Sequence, residues 1–211
     1  MTPLVAVLAL AGAAWGLGAD RIAVRWPAHE KGEGGRRPGW RTAATVGTAA
    51  LAYGVLAGRS PEPATFAIVA VWFAALVLLF AVDLDQRLLP DLVTLPSIAV
   101  AAVLLATGLN PLVRGEEVGA IAAAVVFPAA LFALSIPFGS GALGLGDVKL
   151  MVAAGLVAGF SRTLTGLVAG ALLAGVVLVA LVVLRRITLR TYVPFGPFLI
   201  AGIAWGILAS L

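Results

Sequence analysis

Eight apolar runs, separated by polar stretches of which only one is long, make up most of this chain of 211 residues. Soluble domains are about 45–50% apolar and about 25% charged. Here 62% of the residues are hydrophobic, 11% are charged, and the mean hydropathy is +1.10. So few polar side chains cannot cover the apolar surface, so lipid must act as the solvent. The expected fold is an all-α integral membrane protein, a polytopic bundle of about eight transmembrane helices, with residues 1–211 forming one domain. The absence of cysteine removes disulfides, thiolate metal sites and cysteine nucleophiles from consideration.

The first run extends from Pro3 to about Ala19 and has no basic segment before it, so it reads as a retained span rather than a cleaved signal. The long polar loop at about 20–41 carries Arg21, Arg25, Lys31, Arg36, Arg37 and Arg41 around a flexible Gly32-Glu33-Gly34-Gly35 core. Further spans are predicted at about 42–57, 64–82, 92–108, 118–138, 149–160, 164–184 and 195–211. Abundant small residues, including 25 glycines, let such helices approach closely.

Orientation follows from counting Lys and Arg on alternate loops. With the 20–41 loop cytoplasmic, that side holds 11 of the 14 basic residues, leaving only Arg59, Arg114 and Arg162 on the other. The net charge of +4 therefore reports topology, and no nucleic-acid partner is expected.

Against this background two carboxylates stand out. Asp147 opens a span directly after the glycine-rich run Gly139 to Gly146, and Asp83 closes an earlier one. Two complete spans separate them, which returns both to the cytoplasmic face at similar depth. Paired aspartates suit peptide hydrolysis: one ionised carboxylate draws a proton from water while its protonated neighbour polarises the scissile carbonyl. Such a pair titrates as a unit, so the shared proton belongs to neither residue alone. Gly144 and Gly146 would let an extended strand approach Asp147. A helix must be unwound before it can be cut, and irregular backbone at membrane depth is tolerated only against protein or water.

Each of these residues also has a plainer structural reading. A lone aspartate at a span end is most often interfacial, and glycines in membrane helices most often serve packing. Asp85, two residues from Asp83, would point away from it on a helix. Asp91, after Pro90 and before an apolar run, suits an N-cap. Arg87 and Lys149 read as cytoplasmic anchors, Lys149 close enough to Asp147 to influence its charge. His29, the single histidine, has no second ligand nearby, so no metal site is expected.

Three motifs in order change the weighing. Asp83 with Leu89-Pro90-Asp91 and Thr94-Leu95-Pro96 resembles the first-aspartate motif of type IV prepilin peptidases, GxGD aspartyl proteases. Gly144-Leu145-Gly146-Asp147-Val148-Lys149 resembles their Gly-x-Gly-Asp motif, and Pro194-Phe195-Gly196-Pro197 their C-terminal Pro-Phe-Gly-Pro stretch. The resemblance implies Asp83 and Asp147 as the catalytic pair, with Gly144, Gly146, Lys149, Pro90 and Asp91 as substrate-binding or supporting residues. It further implies removal of a short basic leader from prepilin or pseudopilin substrates at the cytoplasmic face of a bacterial inner membrane, within pilus assembly or protein secretion.

Many members of that family carry a larger cytoplasmic domain with Cys-x-x-Cys pairs and are also N-methyltransferases using S-adenosylmethionine. This chain resembles a short form without that domain, so no cofactor is expected unless methylation is retained. Two other classes stay open: a proton-coupled transporter, which would place carboxylates at the bilayer midplane, and a non-catalytic pilus-assembly membrane protein. Presenilin-like proteases fit less well, since they pair the motif with Tyr-Asp and Val82 precedes Asp83 here.

Overall fold

The computed structural model describes residues 3–26, 37–59, 62–138, 144–186 and 195–211; the glycines at 139–143, His29, Pro194 and the core of the basic loop lie outside these residues. Among the described residues there are seven α-helices and no strand: α1 (Pro3–Ala23), α2 (Trp40–Arg59), α3 (Pro63–Gln86), α4 (Asp91–Ala106), α5 (Glu117–Ser135), α6 (Leu145–Val183) and α7 (Gly196–Leu208). Four of them, α1, α3, α5 and α6, are long and apolar enough to cross a membrane; α4 and α7 are shorter apolar helices.

The spans predicted at 149–160 and 164–184 form one stretch, α6, without an intervening loop. Its 39 residues would measure about 58 Å if straight, roughly twice the hydrocarbon thickness of a bilayer. The stretch does not run straight, because Gly159 breaks it with φ 77° and ψ −177°, a left-handed conformation that costs glycine nothing. The first limb, 145–158, ends beside Asn110, whose Nδ2 donates to the Val157 carbonyl at 2.8 Å. Arg162 begins the second limb and donates to the Leu112 carbonyl at 2.6 Å and to Ser210 Oγ at 2.8 Å.

The second limb then returns along α7. Gly166 lies against Gly202 and Ile203, Gly170 lies against Phe198, and Gly206 lies against Arg162 and Gly166, so the two helices run antiparallel backbone to backbone. Close approach of this kind needs residues without side chains, because lipid supplies no hydrophobic drive to press helices together.

Helices α1 to α3 form the other half of the bundle. Trp15 Nε1 donates to the Ala74 carbonyl at 3.1 Å, Tyr53 Oη donates to Ala70 at 2.7 Å, and Gln86 Nε2 donates to Ala23 at 3.0 Å. The last of these bonds and the ion pair between Arg41 and Asp85 place Ala23 and Arg41, the flanks of the basic loop, at the same end of α3 as Asp83. Asp20, expected to open the polar loop, instead lies within α1. It is 1% exposed, yet its charge is met by Arg21 at 2.8 Å and by the Thr42 hydroxyl at 2.9 Å, which permits the helix to continue to Ala23.

Candidate active site

Helix α3 continues past Asp83 to Gln86 and ends at Arg87, whose left-handed φ of 58° lets its N–H close on the Asp83 carbonyl at 2.9 Å. Asp83 therefore occupies the last full turn of the helix rather than its tip. Its side chain points inward, 5% exposed, and Oδ2 has no hydrogen-bond partner among the described residues. A buried carboxylate oxygen without a partner is costly, and such atoms in native proteins call for an explanation.

Asp147 arrives from the start of α6. Gly144 is the N-cap, with extended φ/ψ, and Asp147 stands three residues on. Its carboxylate reaches back to the Gly144 backbone N–H, while its own N–H donates to the Gly144 carbonyl at 3.0 Å. This is one half of a capping box, in which the third helical residue satisfies the N-cap donor; glycine has no side chain to return the bond. Local sequence thus aims Asp147 before any tertiary contact is made.

The two carboxylates meet at Gly196, the first residue of α7. A Cβ placed there would stand 2.5 Å from Asp83 Oδ2 and 3.3 Å from Asp147 Oδ1. The two oxygens can be no farther apart than those distances combined, within the reach of one bridging water. They open on a cavity of about 230 Å³ lined by Arg87, Leu88, Leu89, Gly144, Gly146 and Phe195 among others. At about 30 Å³ per water, the space holds several. A larger apolar groove of about 480 Å³ lies between α3 and α4 and contains neither aspartate.

Of the other residues singled out in the sequence, Gly144 and Gly146 line the cavity, whereas Pro90, Asp91 and Lys149 do not. Pro90, not Asp91, is the N-cap of α4. Asp91 takes the first helical position, where its charge complements the helix dipole, and it pairs with Lys149 Nζ at 2.6 Å. Lys149 thereby joins the start of α6 to the start of α4. Asp85 points away from the cavity, as helical geometry requires, and pairs with Arg41 at 2.9 Å.

Arg87, Phe195 and Gly196 line the site without having been singled out for it. Arg87 reads as a cytoplasmic anchor in the sequence, and Phe195 and Gly196 carried only a motif resemblance.

The family model described as the type IV leader peptidase family matches residues 68–184, more than half of the chain. A prepilin leader peptidase/N-methyltransferase of Aeromonas hydrophila is 30% identical over 163 residues, 75% of this chain and 56% of the relative. One of Burkholderia pseudomallei is 32% identical over 161 residues, 74% of this chain and 50% of the relative. A third, of Aeromonas salmonicida, is 33% identical over 165 residues, with 75% and 56% covered. The chain thus spans about half the length of the curated relatives it matches, and no solved structure matches it. With both aspartates inside the matched segment, the chain belongs to the type IV leader peptidase family.

Proposed function

We propose that this protein is an aspartyl endopeptidase of the bacterial inner membrane that removes the basic leader from type IV prepilin-like proteins. In this reading the chain crosses the bilayer eight times, counting both limbs of α6, and the cavity faces the cytoplasm. Asp83 and Asp147 share one proton. The ionised oxygen takes a proton from water as its oxygen attacks the scissile carbonyl, and the protonated partner donates to that carbonyl. As the tetrahedral adduct collapses, the carboxyl that took the proton from water gives it to the leaving nitrogen, the other carboxylate recovers one from the gem-diol hydroxyl, and the pair returns to its starting state. The hydrolysis needs no cofactor beyond water, and no residue is assigned to S-adenosylmethionine.

The observation that carries the proposal is the convergence of two carboxylates, 64 positions apart in the chain, on one glycine at the rim of a cavity with room for several waters. The 11-to-3 partition of basic residues supports the cytoplasmic assignment.

The test is processing of a co-expressed prepilin, read by gel shift and N-terminal sequencing. Asp83→Asn and Asp147→Asn should each abolish cleavage while the protein stays folded in the membrane. Cleavage that survives both single substitutions would remove the mechanism.

A further inference from the structure

The element that brings the aspartates together belongs to neither of the segments that carry them. Helix α7 starts at Gly196, against both carboxylates, and ends beside Arg162, at the far end of the first limb of α6. Along its length it is seated backbone to backbone on the second limb through Gly166, Gly170, Gly202 and Gly206. Ser210, just beyond its end, accepts from Arg162 Nε at 2.8 Å. A helix seated through bare backbone and tied at its far end has little freedom to slide along its axis. Its first residue is therefore held in a fixed place.

We propose that Gly196 is a positioning residue: the bare α-carbon at the start of α7 is the spacer that sets the separation of Asp83 and Asp147. The inference rests on the peptidase reading for its functional meaning, although the spacing itself is a property of the fold. Asp83 Oδ2 has no partner among the described residues and faces Gly196 more closely than any Cβ could tolerate. Even a methyl group at position 196 must push α7 or Asp83 aside, since the clash is with a carboxylate on a buried helix turn. The same helix end brings the partial positive charge of α7 beside the carboxylate pair. Misplacement of reacting groups by about 1 Å can cost about 100-fold in rate.

The experiment is a double-mutant cycle on the purified full chain, with thermal midpoint and prepilin processing read on each protein. Gly196→Ala should lower kcat about 100-fold with little change in KM, and should lower the midpoint. Asp83→Ala removes the carboxylate that the new methyl group meets, so Gly196→Ala should cost little further midpoint in that background. Gly47→Ala, at an exposed position on α2 with no atom within 4 Å, serves as the unaffected control. Processing by Gly196→Ala within about threefold of wild type would overturn the proposal. So would a midpoint loss that Asp83→Ala fails to relieve, including the case in which Gly196→Ala does not fold in either background. If the wild type processes no prepilin, the peptidase reading fails separately, and the midpoint cycle still decides whether Gly196 spaces the pair.

Discussion

Gly146 and Leu89 touch where no side chain could be added. A Cβ on Gly146 would stand 2.7 Å from the Leu89 Cβ and 3.2 Å from the Leu89 carbonyl oxygen. The contact joins the segment after Asp83 to the segment that carries Asp147, one residue before it. Gly146→Ala should therefore shift the start of α6 and reduce prepilin processing by about 100-fold. Initial rates of leader removal, normalised to folded protein, check this; an unchanged rate would mean the α6 start is not held by Leu89.

Asn110 is 1% exposed and satisfies two backbone groups at once, donating to Val157 and accepting from the Leu112 N–H at 3.1 Å. Asn110→Leu would leave both buried and unpaired, at about 1–3 kcal/mol each. Denaturant titration in detergent micelles should show a loss in that range or above, and Asn110→Asp, which turns a buried carboxylate oxygen toward the Val157 carbonyl, should lose no less.

The break in α6 requires a residue at φ 77°. Gly159→Ala should cost about 1–3 kcal/mol from that backbone conformation alone, which residues with a side chain essentially do not adopt. The Val113 Cγ1 atom, 3.1 Å from the new methyl, must also give way. The same titration measures it. Undiminished stability would indicate that the limbs can turn elsewhere.

The ion pair between Lys149 and Asp91 is 2.6 Å long but partly solvated, with side chains 29% and 60% exposed. Exposed pairs contribute about 0–1 kcal/mol, so Lys149→Gln and Asp91→Asn should each change stability by less than about 1 kcal/mol. Asp85, paired with Arg41 away from the cavity, should tolerate Asn with most processing retained. A loss of cleavage in Asp85→Asn comparable to that of Asp83→Asn would place Asp85 in the chemistry instead.

Much of the molecule was legible from hydropathy because a membrane helix satisfies its own backbone hydrogen bonds within one continuous segment. The apolar runs, the glycine stop before Asp147 and the position of Asp83 near a helix end are all one-dimensional facts of that kind. The capping of the Gly144 N–H by the Asp147 carboxylate is equally local. Which helices touch, and through which face, was not legible. Helices such as α3, α5 and α6 are apolar nearly all round, so no polar stripe records how each is rotated against its neighbours. Tertiary structure alone decided that the 149–184 region turns at a glycine without a loop, that Asp20 and Asp85 are absorbed into ion pairs, and that Asp83 faces Asp147 across Gly196. Rotation and depth in the bundle are set by where backbones can come within contact distance. That depends on small residues from segments far apart in the chain meeting in register.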